Sequence, residues 1–398
     1  MEKHTSDLLN RLSESATLAM ARMARELKAS GVDIISLSLG EPDFDTPSVL
    51  KQSGIDSINA NETHYTPVPG TQRVREAISK KFQRDNGLAY NADQIVVSTG
   101  AKQSLANVIL SLVNPGDEVI LPAPFWVSYV ELVKVAGGIP VILPTSIQED
   151  YKIHPDAIEA AITAKTRLMI YSSPCNPSGS VYTQKETAEI AAVLRKHDNM
   201  YTISDEIYEL INFTPKHASL AAEPGMMERV ITVNGVSKGF AMTGWRLGYI
   251  GAPKWIADAC TKIQGQFTSA PCSIAQAAAA TAVESDPSIS QSMVSAFLRR
   301  RNAMHASLSK VPGINLNLPM GAFYLFPDVS DLFGKSFKGK RLENSDDVAM
   351  FLIEEAHVAT VSGAAFGTPE CIRISYAAAD EVLEEAVRRI HVAIGQLA

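Results

Sequence analysis

The sequence predicts an α/β fold divided into two domains, a larger one built on a sheet covered by helices on both faces and a smaller α+β one. Three observations carry this expectation. The chain has 398 residues, beyond the roughly 250 to 300 at which a single hydrophobic core stops growing. From about Gln94 short β-rich runs alternate with longer helical ones, the pattern of a sheet with crossover helices. After about Ser285 the alternation gives way to long helical stretches interleaved with isolated strands.

Taken in order, the elements read as follows. ISLSLGEPDFDTP is an apolar strand turning into Gly and Pro breakers, an ordered loop of the kind found near a site. IVVST, EVILPA, PVILP, RLMIYS, YTISDE and VITVNG are strands, with helices through SLANVILSLV and after Phe125. WRLGYIGA is a further strand, and WIADACTKIQGQF begins a helix. In the C-terminal part, SMVSAFLRRRNAMHASLSKV and DDVAMFLIEEA are helices, AFYLFPDV, VATVSG and CIRISYA are strands, and EVLEEAVRRIHVAIGQL is a terminal helix. FGKSFKGKRLEN, rich in Gly and Lys, reads as an exposed loop.

Composition narrows the function classes. Hydrophobic residues make up 46% and charged residues 20%, as in an ordinary globular protein. A formal net charge of −7, with no Lys/Arg run that would make a local basic patch, offers no electrostatic footprint for nucleic acid. No stretch of about 18 apolar residues occurs to span a membrane, and the N-terminal residues lack the pattern of a signal peptide. The expectation is therefore a cytoplasmic protein without nucleic-acid or membrane partners. Cys175, Cys260, Cys272 and Cys371 are scattered, so neither a metal site nor a disulfide framework is expected, and buried reduced thiols are.

Four motifs carry candidate chemistry. In NGVSKGFAMTGWRLGY, Lys238 follows an apolar strand in a Gly- and Ser-containing turn, with Arg246 eight residues on; a lysine amine whose environment makes it nucleophilic forms a Schiff base with a carbonyl. Alone, such a lysine is most often a solvated surface residue. In YTISDEIYE, Asp205 ends a strand and Tyr208 follows three residues later; a carboxylate there can pair with a pyridinium nitrogen and a phenol can tune the ring oxygen, or both can simply cap the strand. STGAKQSL places a Gly turn directly before a helix, so the amides of Gly100, Ala101 and Lys102 can face an anion. This is not a nucleotide loop, since no GxGxxG or GxxxxGK[ST] spacing is present; the ordinary alternative is an N-cap turn. YSSPCNPSG holds Asn176 between breakers, where Pro177 favours an extended or cis linkage that would aim the amide at a ligand.

Together with SATLAM, GEPDFDTP, HYTPVPG, PGDEVILPAPFWVSYVE, GAFYLFP and CIRISYA, these motifs resemble the class I aminotransferases dependent on pyridoxal 5′-phosphate (PLP), of fold type I, close to the bacterial aspartate aminotransferase subgroup, over essentially the whole chain. The resemblance implies a large domain over residues 46–285 with a mostly parallel seven-stranded sheet, and a small domain formed by 286–398 together with the segment 1–45. It implies that Lys238 carries the cofactor and moves the substrate proton, that Asp205 pairs with the ring nitrogen, and that Tyr208 and Asn176 bond the 3′ oxygen. Trp126 would lie on the ring face. Gly100, Ala101, Lys102, Ser237 and Arg246 would surround the phosphate, joined by Tyr65 of a second subunit in a homodimer. Arg373 would grip the α-carboxylate beside Gly40, Trp126 and Asn176, and Lys102, Ser15 and Thr17 would read the distal carboxylate. Phe125 departs from the pattern, standing where the family has Tyr. The implied activity is ping-pong transfer between aspartate or glutamate and oxaloacetate or 2-oxoglutarate, with aspartate/prephenate or another amino-acid aminotransferase as the alternative. β-Elimination and aminocyclopropane-carboxylate synthase chemistry would share Lys238, Asp205 and Tyr208. A PLP-sensing regulator would need a DNA-binding segment that the sequence does not show.

Overall fold

The computed structural model describes residues 5–398. Its centre is a seven-stranded sheet. In chain order its strands are β1 (Ile95–Ser98), β2 (Glu118–Pro122), β3 (Ile139–Leu143), β4 (Thr166–Ser172), β5 (Tyr201–Asp205), β6 (Val230–Gly235) and β7 (Gly248–Gly251). Their spatial order is β1-β7-β6-β5-β4-β2-β3. Every pairing is parallel except those of β7, which runs antiparallel to both its neighbours.

Side-chain alternation explains why this sheet is buried on both faces. Val96, Val119, Leu121, Leu168, Ile170 and Ile203 enter one apolar cluster, with Leu105, Val108 and Ile109 of the helix Ala101–Leu112 and Cys260 of the helix Lys254–Phe267. Their sequence neighbours Ile95, Val97, Ile120, Met169 and Tyr171 enter the opposite cluster, with Val74, Ile78 and the alanine-rich helix Ser273–Glu284. Period-two side chains of this kind can be apolar throughout only when helices cover both faces.

A third cluster is built from the C-terminal part: Phe297 and Met304 of the helix Gln291–Leu308, Phe323 to Leu325, Leu352, Ile374 and Ile390. Ile35 and Leu37 join it, because the two-residue strand Ile35–Ser36 pairs in parallel with Val358–Ala359. The antiparallel strands Val361–Ser362, Ile372–Ser375 and Tyr324–Leu325 complete this region.

Two expectations are corrected. The segment read as an exposed loop forms a small antiparallel hairpin, Ser336–Phe337 with Lys340–Arg341. Lys338 and Gly339 make its turn with positive φ, and Phe337 packs edge-on against Phe351 at 5.5 Å, so an apolar anchor organises a stretch whose composition reads as solvated. Of the four thiols, Cys272 is exposed, because it stands at the N-cap of Ser273–Glu284. No helix among the described residues is long and apolar enough to cross a membrane.

Candidate active site

The parallel strands deliver their chemistry at one edge of the sheet. Asp205 ends β5, Asn176 lies four residues past β4, Trp126 four past β2, and Ser237 and Lys238 just past β6. Gly100 lies two residues past β1, and Arg246 lies two residues before antiparallel β7, whose start is at the same edge. The carboxyl edge of a parallel sheet is where ligands bind, because loops there can converge without disturbing the ladder. A cavity of about 210 Å³ at this edge is lined by Gly40, Ala101, Lys102, Trp126, Asn176, Asp205, Tyr208, Ser237, Lys238, Arg246, Tyr324 and Arg373.

One end of the cavity suits an anion. The helix Ala101–Leu112 starts there with its first amides unpaired within the helix, so its positive end faces the pocket. Gly100 makes that start with φ +85, and a Cβ at this position would run into the Arg246 guanidinium. The absence of a side chain thus lets arginine and helix end share one spot. The Lys102 pKa is lowered by burial and then by the Arg246 charge. Two cations held this close keep each other short of a counter-charge.

The opposite wall holds a carboxylate. Asp205 accepts from the Tyr129 hydroxyl at 2.7 Å and from the Ile207 amide at 3.2 Å. Burial pushes its pKa up to about 6 against the pull of those two donors. Tyr129 also meets Trp126 edge-on, with ring centroids 5.7 Å apart. A single side chain therefore orients both the carboxylate and the flat indole.

Between these ends lies Lys238, donating to the Gly40 carbonyl at 2.5 Å. Its pKa is lowered to about 8, chiefly by burial, with Arg373 and Arg246 adding to the effect and Glu41 opposing it. At neutral pH a useful fraction of such an amine is unprotonated and nucleophilic.

Arg373 is 1% exposed. It donates to Asn176 Oδ1 at 2.9 Å and to the Ser38 carbonyl at 2.5 Å, while its Nε has no partner. No carboxylate among the described residues pairs with it. A buried guanidinium without an anion is costly unless one is delivered.

Of the residues expected here, Gly100 stands behind the Arg246 guanidinium without lining the cavity, and Tyr65 and Ser15 are not brought into the cavity of the single chain. Tyr65 is fully exposed in a separate depression with His64 and Thr66. Ser15 stands at the N-cap of the helix Ala16–Ala29 without a side-chain cap bond. Two residues on, Thr17 does line the cavity, and its buried hydroxyl is unpartnered. The Asn176–Pro177 bond is cis. Phe125 is buried, its ring filling the space beside Gly367.

Sequence reading missed Tyr129 and Tyr324. Tyr129 had a signal, lying three residues after Trp126 where a helix begins and so on the same side. Tyr324, whose hydroxyl meets that of Tyr208 at 2.7 Å, had none.

Comparison with known proteins shows the family and the fold. The family described as aminotransferase class I and II matches residues 32–390. A bifunctional aspartate aminotransferase and glutamate/aspartate-prephenate aminotransferase of Petunia hybrida is 47% identical over 98% of this chain and 82% of its own length. An aspartate/prephenate aminotransferase of Cereibacter sphaeroides is 45% identical over 97% of both chains. Among solved structures, an aspartate aminotransferase from Rhizobium meliloti superposes with a TM-score of 0.96 at 39% identity over 100% of both chains. The Thermus thermophilus enzyme with maleate gives 0.92 at 36% identity, covering 98% of this chain and 100% of that one. With the family match spanning residues 32–390 and the fold superposing over the full chain, this chain belongs to the class I and II aminotransferases.

Proposed function

We propose that the enzyme uses PLP to exchange amino groups between aspartate or glutamate and oxaloacetate or 2-oxoglutarate. The observation that carries the reading is Arg373, a buried cation paired with no carboxylate among the described residues, facing the cavity that also holds Lys238. An α-carboxylate meets the need of this guanidinium, and its planar fork suits that group.

The residues fit PLP. Helix-end amides, Ser237 and Arg246 form an anion seat for the phosphate, the Trp126 face offers a stacking plane, and buried Asp205 matches a cationic ring nitrogen. Bound PLP supplies an electron sink for charge developing at the substrate Cα. Lys238 Nζ, with its depressed pKa, would take and return the Cα proton. Asp205 would hold the ring nitrogen protonated, and Tyr208 and Asn176 would donate to the 3′ oxygen. Arg373 and the segment at Gly40 would fix the substrate so that the Cα–H bond faces Lys238.

For the distal carboxylate we assign Lys102 and Thr17, with Ser15 two residues before Thr17 at the N-cap of its helix. Lys102 lies 4.9 Å over the Trp126 ring, and the Thr17 hydroxyl has no partner of its own. Prephenate is retained as a second acceptor, because relatives 43–47% identical carry that activity in their names. We further propose a homodimer in which exposed Tyr65 completes the neighbouring site. We further propose a domain division of 46–285 against 286–398 with 1–45, whose residues 1–4 lie outside those described, supported by a C-terminal core that Ile35 and Leu37 join and that Tyr208 and Ile211 enter from the larger part.

The test has two parts. Borohydride reduction of the PLP-loaded enzyme and peptide mapping should place the pyridoxyl label on Lys238; a label on another lysine refutes the assignment. A panel of donors and acceptors should then show aspartate with 2-oxoglutarate well above apolar amino acids, and Lys102→Ala should erase that preference.

A further inference from the structure

Tyr324 touches three groups that were given roles above, and none of those roles accounts for it. Its hydroxyl is 2.7 Å from the Tyr208 hydroxyl. Its ring centroid lies 4.6 Å from the Arg373 guanidinium carbon, within cation–π range. A Cβ on Gly40 would fall on its hydroxyl, so the segment that accepts from Lys238 passes directly over it. Tyr324 is itself buried, on the strand Tyr324–Leu325 whose partner, Ile372–Ser375, carries Arg373. One side chain therefore spans the carboxylate grip and the phenol beside the ring.

Resting on the proposed PLP reading, we propose that Tyr324 is a positioning residue with two separable functions: its hydroxyl directs the Tyr208 proton toward the cofactor oxygen, and its ring holds the Arg373 guanidinium. A phenol has one proton and accepts through its lone pairs. When Tyr208 spends its proton on the cofactor oxygen, its own oxygen is free to accept from Tyr324. Chained donors of this kind polarise one another, so Tyr208 becomes the stronger donor. The ring function is independent of that proton. No carboxylate among the described residues pairs with Arg373, and the faces of Tyr324 and of Phe366, the latter at 4.9 Å, offer it negative potential without competing for the substrate anion.

The two functions predict different signatures. The PLP-loaded parent, Y324F, Y208F and the double variant Y208F/Y324F are titrated by visible absorbance, which reports the nitrogen joining Lys238 to the cofactor. A donor aimed at the neighbouring oxygen favours loss of that nitrogen's proton, so weakening it raises the midpoint. Y324F should raise the midpoint by about 0.3 to 1 pKa unit while aspartate KM changes less than about twofold. The double variant should shift no further than Y208F alone, because Tyr324 acts through Tyr208. Y324L should in addition raise KM for aspartate and alanine alike, by about threefold to thirtyfold. An unmoved midpoint in Y324F while Y208F shifts it overturns the hydroxyl function, as does an additive shift in the double variant. An unchanged KM in folded Y324L overturns the ring function. Y324F keeps the ring volume, so the hydroxyl arm stands even if Y324L fails to fold. If the loaded parent shows neither a titrating visible band nor a reducible Lys238 adduct, the PLP reading falls and this proposal with it, an outcome distinct from those above.

Discussion

Arg373 shows most directly what burial does to a single residue. Desolvation lowers its pKa, yet a guanidinium remains charged at any working pH. Its unpaired charge is then available for a substrate carboxylate. Arg373→Lys keeps the charge and loses the fork, so KM should rise about tenfold or more for every amino and keto acid alike. Steady-state kinetics on aspartate and alanine check this, and loss confined to aspartate would move Arg373 to the distal carboxylate. Tyr129 acts on Asp205 in a way that pH reveals. Its hydroxyl holds down a carboxylate pKa that burial raises to about 6. Tyr129→Phe should lift it further, leaving more Asp205 neutral near pH 6.5 and unable to pair with a cationic ring nitrogen. PLP affinity measured by fluorescence quenching should therefore fall about threefold to tenfold at pH 6.5 and recover toward pH 8.5. A loss independent of pH would mean Tyr129 acts only through its packing on Trp126.

At the scale of elements, the residues after β5 join the site to a second buried network. Asp205 faces the cavity, while its neighbour Glu206 turns away to accept from Ser204 at 2.8 Å, Ser219 at 2.7 Å and His217 at 2.9 Å. Glu209, one turn on, pairs with Lys81 and accepts from Asn86 at 2.8 Å. Glu206, Glu209 and His217 present ligand atoms within 4.8 Å of one another, and the Lys81 ammonium already supplies a cation to the group. Burial pulls the His217 pKa down and Lys81 adds to that, but the charge and hydrogen bond of Glu206, with Glu209 beyond, overcome both and leave it raised. A histidine pKa raised on folding contributes stability in full below about pH 6.5, and loses it as pH rises through the folded value. His217→Gln should flatten that dependence. Thermal melts from pH 6 to 8.5 should show the parent losing about one to three degrees more than the variant; equal slopes would mean His217 is not charged in the folded state.

For the whole molecule, the segment from Ser38 to Thr46 is held on two sides. On the C-terminal side, Arg300 forks Asp43 at 2.7 and 2.9 Å and reaches Asp380 at 2.8 Å, and Arg373 donates to Ser38. On the sheet side, Thr46 donates to the Ala241 carbonyl at 2.7 Å and accepts from the Trp245 indole at 3.2 Å, and Thr243 donates to Glu41. The Gly40 carbonyl is thereby set over Lys238 by contacts from both sides. Tyr65, fully exposed, belongs to the next level of assembly under the proposed homodimer. Mixing inactive Lys238→Ala subunits with weakened Tyr65→Phe subunits after reversible dissociation should create one intact site per heterodimer. Activity should recover to about a quarter of the parent's, since half of random dimers are mixed and each has one good site of two. No recovery would mean that Tyr65 serves its own chain or none.

The sequence by itself determined the layered sheet, because apolar runs of strand length alternating with helical stretches can be buried only by covering both faces. It also marked Lys238, Asp205, Asn176 and the turn at Gly100, since each follows a strand whose end topology places at one edge. Tertiary structure decided the rest. Tyr129 and Tyr324 are aromatic residues in apolar runs, indistinguishable from core until a carboxylate in one case and a second phenol in the other is found at hydrogen-bond distance. The hairpin at Ser336–Arg341 depends on Phe337 finding Phe351, a contact that local composition does not encode. Local pattern records which faces must be hidden from water; which partner hides each one is settled only when distant segments close on one another.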